Sequence, residues 1–426
     1  MQIEKLYKIY RQYPSVQTDT RKLKADDIFF ALKGASFNGN SFAKQAIDSG
    51  ASFAVIDEKE FEISGKTILV DDVLTTLQML AKHHRQQFKV PFLAITGSNG
   101  KTTTKELIHA VLSTTYKTYT TEGNLNNHIG IPLTLLKIKP DAELAVIEMG
   151  ANHIGEIASY SKIALPTHGI ITNCGKDHLE GYGSEEGVRI GNKELYDHLR
   201  ANNGTVFIMW DYEYLREMSK GIPKIITYGT TNANIEGTVA ESGPFLKVAF
   251  HKGTTLSNLQ TQLVGDYNLP NVLAAATVGN YFKVPDEKIR TAIENYIPSN
   301  NRSQWIEKGT NKIILDAYNA NPSSMMLAIE SFAKLHAPNK ILMLGAMAEL
   351  GKDSVREHQI IIDQIRKYEW LAVILVGHDF EKLSTPYHWF NNSTEAGKWF
   401  QEQHFQNCTI LIKGSRSMQM EKAIEF

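Results

Sequence analysis

Long apolar runs, cysteine and net charge are all scarce in this chain of 426 residues. No stretch reaches the roughly 18 consecutive apolar residues of a membrane-spanning helix, so the protein is not expected to be membrane-embedded. Lys and Arg number 45 against 46 Asp and Glu, a formal net charge of −1. No bulk attraction to nucleic acid or an anionic bilayer follows, and no nucleic-acid partner is expected. The two cysteines, Cys174 and Cys408, lie far apart in apolar runs. They provide no disulfide framework, and a reducing, cytoplasmic setting is expected. The opening MQIEKLYKIYRQYP is charged throughout and holds no signal-peptide core. Internal repeats and low-complexity tracts are missing too. What remains, 42% hydrophobic and 21% charged residues, suits a soluble globular protein of more than one domain.

The pattern along the chain predicts an α/β protein of three domains. Residues 1–84 read as a small α/β unit with strands at Asp27–Leu32, Phe53–Ile56 and Thr67–Val70 and helices near Phe42–Ser49 and Val73–His84. Residues 85–298 alternate strands (Phe92–Thr96, Leu144–Met149, His168–Cys174, Thr205–Trp210, Lys224–Tyr228) with helices, which predicts a mostly parallel sheet covered on both faces. Alternating, glycine-punctuated stretches over 234–264 predict a small antiparallel insertion, followed by helices at Asn271–Phe282 and Asp286–Tyr296. Residues 299–426 form a third α/β unit, Rossmann-like, with strands at Lys312–Ala317, Lys340–Leu344, Leu371–Val376 and Thr409–Lys413.

The most informative stretch is AITGSNGKTTTKELI, residues 94–108. A buried strand runs into Gly97, Ser98, Asn99 and Gly100, then into Lys101, Thr102 and Thr103 at the start of a helix. Glycines let the backbone come close to a ligand, and the free N–H groups of loop and helix start favour an anion. Lys101 offers a mobile positive charge for phosphates, and the Thr102 hydroxyl suits a magnesium ion. The spacing G-x-x-G-K-T-T is shorter than the common phosphate-loop pattern, because Ile95 stands where its first glycine would fall.

Two further strands end in groups suited to the same site. Glu148 leaves LAVIEMG and His178 follows HGIITNC in GKDHLEGYG, so both are expected at carboxyl ends of strands, where ligand groups gather in open α/β sheets. The Glu148 carboxylate is a natural ligand for magnesium, a hard cation that prefers oxygen. In the third unit DAYNANPSS sets Asp316, Tyr318, Asn319 and Asn321 on a strand-to-helix loop. KGSRSMQME sets Lys413 and Arg416 around a glycine at a helix start, which suits a carboxylate or phosphate.

Together these blocks resemble the ATP-dependent Mur ligases of peptidoglycan synthesis, over essentially the whole chain. TGSNGKTTTKE is similar to the superfamily's phosphate loop, and TDTRKLKADDIFFALKGASFNGNSFAKQA looks like the family's UDP-binding domain. TEGNLNNHIGIPLTLL, VIEMGANHIGEI, DAYNANPSSM, LGAMAELG and KGSRSMQME are similar to blocks of the members that add D-alanyl-D-alanine to a UDP-N-acetylmuramoyl-tripeptide. The resemblance implies ATP and Mg²⁺ as cofactors, amide formation through an acyl phosphate, and a monomer. Lys101, Thr102 and Thr103 would hold the phosphates, with Thr102, Glu148 and His178 serving two magnesium ions. Asn271 would meet adenine, Arg302 the γ-phosphate and Asp316 the ribose. Thr20, Lys33 and Asn127 would contact the UDP-muramoyl substrate, and Asn319, Asn321 and Lys413 the dipeptide. Another amide ligase of the superfamily is a second reading, and a phosphate-loop switch or binding protein a third.

Two departures from the family pattern stand out. The family's G-x-H-N carries Tyr267 in place of histidine. Its carbamylated lysine, four residues before an aromatic, falls on Asn192 when counted back from Tyr196; Lys193 lies one residue later, on another helical face. An enzyme independent of carbon dioxide is therefore expected.

Overall fold

The computed structural model describes residues 3–241 and 243–425; the outermost residues assigned to the first and third units, and Ser242, lie outside them. The first unit carries a four-stranded parallel sheet, Val16–Gln17, Ile28–Phe30, Phe53–Ile56 and Thr67–Leu69 in spatial order, with the hairpin Lys33–Gly34/Phe37–Asn38 beside it. A helix at Ile3–Gln12, not foreseen in the sequence, buries Leu6 and Tyr10, one turn apart, and leaves its charges outside.

The central sheet has nine strands. Phe92–Thr96 sits between His168–Ile171 and Leu144–Glu148, and pairs parallel with both. Every residue of Phe92–Thr96 and of Leu144–Glu148 is buried, because helices cover both faces, which explains their unbroken apolar runs. From Phe92–Thr96 the chain turns one way to Leu144–Glu148 and the other way to His168–Ile171, so its carboxyl end is a topological switch point, where a crevice opens. The expected insertion is real but continues the same sheet. Ile235–Glu241 joins Lys224–Gly229 in parallel, and Phe245–Lys252 and Asn258–Val264 follow antiparallel.

The third sheet has six strands, ordered Gln304–Lys308, Asn311–Asp316, Thr409–Lys413, Lys340–Gly345, Ala372–Val376 and His388–Phe390. All pair in parallel except the first. The two outer strands have no fully buried residue, so neither carries the apolar run that reveals the inner four. Asp316 lies in register with Lys413 at the carboxyl ends of adjacent strands.

One hydrophobic cluster runs from Leu6 and Tyr10 through Leu77 and Leu80 into Phe92, Leu136 and Ile163, and so serves the first and central sheets together. The third sheet has its own core on each face. Arg85 pins the junction between first and central units, its guanidinium donating to Ala164 O and Leu165 O, each at 2.8 Å.

Candidate active site

The phosphate loop takes the form the sequence predicts. Gly97 has φ +129° and its Cα faces Thr172 and Asn173; a Cβ there would lie 2.2 Å from the Thr172 hydroxyl. Gly100, at φ +81°, opens the helix Lys101–Ser113. Asn173 clamps the loop from the neighbouring strand end: its Oδ1 accepts from Asn99 N at 3.1 Å and its Nδ2 donates to Asn99 O at 2.9 Å. Ser98 Oγ accepts from Gly175 N at 3.0 Å. The Lys101 ammonium folds back over its own loop, donating to Gly97 O at 2.5 Å and Ser98 O at 3.1 Å, with Asp177 at 4.0 Å. Thr103 faces the cleft from the first turn of the helix.

Glu148 meets the loop from the adjacent strand. Its Oε1 accepts from Thr102 Oγ1 at 3.2 Å and Asn126 Nδ2 at 2.8 Å. Its Oε2 is buried with no hydrogen-bond partner. An orphaned carboxylate oxygen beside a threonine hydroxyl is a hard, anionic donor set, and it fits a magnesium ion. Among the described residues no group of three His, Cys, Asp or Glu side chains forms a closed metal cage.

His178 stands at φ +47°, a left-handed conformation held by its surroundings. Glu349, itself at φ +61°, reaches from the third unit into ion-pair contact with His178 Nδ1, while Asp177 Oδ1 lies 3.7 Å from Nε2. Burial works against the imidazolium, but these two carboxylates outweigh it and raise the His178 pKa above its ordinary value. Glu349 shifts the other way, lowered by its contact with His178.

Across the cleft, Asp316 accepts from Ser303 N at 3.1 Å and pairs with the buried Lys413 at 2.6 Å. Lys413 also donates to Asn319 O at 3.4 Å. Arg302 lays its guanidinium 3.6 Å from the centre of the Tyr318 ring. Asn321 caps the helix Pro322–Lys334 and donates to Asn99 of the phosphate loop at 2.9 Å. Asn271 is held inside: it accepts from Thr104 Oγ1 at 3.0 Å and donates to Asn268 at 2.8 Å, leaving one amide hydrogen for a ligand. Asn127 caps Gly130–Leu136 through Ile129 N and Gly130 N.

One cleft between the central and third units is thus lined by Ser98 to Thr103, Asn127, Glu148, His178, Asn271, Arg302, Asp316, Asn319, Asn321 and Lys413. Gly97 supports it from beneath. Thr20 and Lys33 stand apart on the first unit, Lys33 paired with Asp57 at 2.9 Å and Glu58 at 2.8 Å, which raises its pKa well above the usual range. Sequence reasoning gave no role to Asn173, Asp177, Tyr318 or Glu349; each lay inside or beside a quoted motif, but only packing reveals its partner.

Both departures have a structural account. Tyr267 is half-buried, with its hydroxyl 3.1 Å from Ser303 Oγ. The helix Glu185–Ala201 is continuous, so Asn192 faces inward, accepting from Thr96 Oγ1 at 2.9 Å and donating to Val188 O at 2.9 Å. Lys193 points to solvent, paired with Asp197 at 2.7 Å.

Comparison with known proteins matches three family models: the Mur ligase family catalytic domain at residues 12–87, the Mur ligase middle domain at 95–279 and the Mur ligase glutamate ligase domain at 301–416. The UDP-N-acetylmuramoyl-tripeptide–D-alanyl-D-alanine ligase of Bacillus subtilis is 34% identical, covering 96% of this chain and 92% of that one. The ligase of the same name from Escherichia coli is also 34% identical, with the same coverage of 96% and 92%. A crystal structure of MurF from Acinetobacter baumannii superposes with a TM-score of 0.88 at 29% identity, over 96% of this chain and 92% of that one.

Proposed function

The chain belongs to the Mur ligase family, and from that premise we propose that it joins D-alanyl-D-alanine to a UDP-N-acetylmuramoyl-tripeptide at the expense of ATP. The observation that carries the reading is the cleft itself. A phosphate loop and an orphaned carboxylate on one wall face a lysine, an arginine and paired asparagines on the other. That arrangement suits a phosphoryl donor on the central unit and an acceptor amine delivered from the third.

The tripeptide carboxylate attacks the γ-phosphate of ATP, giving an acyl phosphate and ADP; the dipeptide amine then attacks the acyl carbon, phosphate leaves, and the amine gives up its proton. A carboxylate is a weak nucleophile repelled by the phosphates, so the task is charge neutralisation and alignment. Loop N–H groups and Lys101 neutralise the phosphates, with Lys101 exchanging its bonds to Gly97 and Ser98 carbonyls for phosphate oxygens. Arg302 reaches the γ-phosphate from the third unit, and Asp316 holds the ribose. Asn271 offers its remaining amide hydrogen to adenine. Thr102, Glu148 and His178 would hold Mg²⁺, which supplies further charge stabilisation at the transferring phosphoryl group. Asn127, Thr20 and Lys33 belong to the UDP-muramoyl side, and Asn319, Asn321 and Lys413 to the dipeptide side. Units bounded at residues 1–84, 85–298 and 299–426, acting in one cytoplasmic monomer, complete the proposal.

The test is ADP release with each substrate withheld in turn. Turnover is expected only with both UDP-N-acetylmuramoyl-tripeptide and D-alanyl-D-alanine present. Equal turnover with single amino acids would move the chain to another branch of the family, and turnover without any acceptor would mark a nucleotide switch.

A further inference from the structure

Lys105 lies one turn beyond Lys101 on the phosphate-loop helix, 2% exposed, and the chemistry above does not use it. A cation that deeply buried is costly unless it is paired. Its ammonium donates to Thr121 O at 2.7 Å and stands 4.0 Å from Glu148 Oε2 and 3.8 Å from Glu106 Oε1. Glu106 in turn accepts from the Tyr296 hydroxyl at 2.6 Å, which fixes it beside the lysine. Glu148 Oε1 is already engaged by Thr102 and Asn126. The oxygen left for a cation is therefore the one that faces Lys105.

We propose that Lys105 is a positioning residue, a resident countercharge for Glu148 that keeps divalent metal from settling there until nucleotide phosphate arrives with it. The proposal rests on the reading of Glu148 as a metal ligand. An ammonium so near the carboxylate repels a divalent cation strongly even in the screened dielectric of a protein. Nucleotide phosphates bring the negative charge that offsets this repulsion. The metal then enters with ATP, and Glu148 is already aimed to receive it. A lysine serving only to hold the Thr121 carbonyl would be replaceable by a neutral amide donor with no change in metal binding.

Mn²⁺ binding to the full chain, read from the loss of the free-ion electron paramagnetic resonance signal, separates the cases. It is measured with and without a non-hydrolysable ATP analogue, for the native protein, Lys105→Gln and Glu148→Gln, with thermal unfolding as a check on folding. The native protein is expected to bind Mn²⁺ well only with the analogue. Lys105→Gln is expected to bind Mn²⁺ at least about tenfold tighter than the native protein without nucleotide, the two converging once the analogue is present. Unchanged or weaker nucleotide-free binding in Lys105→Gln would overturn the proposal. So would tight Mn²⁺ binding by the nucleotide-free native protein, a result that needs no variant; Lys105→Met repeats the comparison if Lys105→Gln does not fold. Undiminished Mn²⁺ binding by Glu148→Gln with the analogue would instead remove Glu148 from the metal site, a failure of the underlying reading and visible as such.

Discussion

The Asn321 amide donates to the Asn99 side-chain carbonyl at 2.9 Å, joining a helix start in the third unit to the phosphate loop 222 residues away. Nearby, Ser323 Oγ accepts from Lys176 N at 2.9 Å, and Lys176 Nζ pairs with Glu357 at 2.7 Å. These contacts hold the third unit's wall of the cleft against the phosphate loop and the strand end beside it.

Asn321→Ser separates the bridge from the cap. Serine caps a helix about as well as asparagine, so stability should change by less than about 0.5 kcal/mol. Serine is too short to reach Asn99, and the reacting groups lose their alignment, so ADP release should fall by between about tenfold and about hundredfold. Thermal unfolding and a turnover assay on the same preparation check both halves.

Lys101→Ala removes the mobile charge over the phosphate loop. Turnover should drop by about 10²–10³, or about 3–4 kcal/mol of transition-state stabilisation, while circular dichroism stays native. Near-normal turnover in a folded variant would contradict the phosphate role.

Lys193→Ala should be tolerated, because this side chain reaches only Asp197 and solvent. Loss of an exposed ion pair costs at most about 0.5 kcal/mol. Activity of the variant and of the native protein should be indifferent to bicarbonate and to acetate. Loss of activity in Lys193→Ala that acetate restores would show instead that Lys193 carries a carbamate.

His168 ties stability to pH. Its ring is packed among Phe207, Tyr281 and Phe282, and burial, aided by the Lys224 charge, lowers its pKa to about 4. The folded state thus takes up a proton less readily than the unfolded chain, whose histidine titrates near 6.5. The contribution is intact above about pH 6.5 and is lost as pH falls from there to about 4, amounting to about 3 kcal/mol. Chemical denaturation across that window should show this loss, and His168→Gln should flatten it.

Much of the site was legible because it is local. The phosphate loop is contiguous in sequence, and the placing of Glu148 and His178 in the same cleft follows from their strand ends read together with that loop. The Asn192 register also followed from counting along one helix. Lys105 was not legible: in TTTKELI it reads as an ordinary solvated helix lysine, and only the strand carrying Glu148 and the loop carrying Thr121 make it a buried cation. Glu349 was hidden for a similar reason, since nothing in LGAMAELG reveals that it crosses to His178. The strands Gln304–Lys308 and His388–Phe390 escaped because edge strands need no apolar run.

The hydrophobic cluster shared by the first and central sheets bears on how the chain is made. Leu6, Tyr10, Leu77 and Leu80 find part of their packing on Leu136 and Ile163, so the opening residues leave the ribosome with an apolar face that nothing yet covers. That face stays open until the central sheet has been translated, whereas the third sheet, with cores of its own, can close as soon as its last strand emerges. The interval of greatest exposure to chaperones and to aggregation therefore falls early in synthesis, before any part of the nucleotide cleft exists.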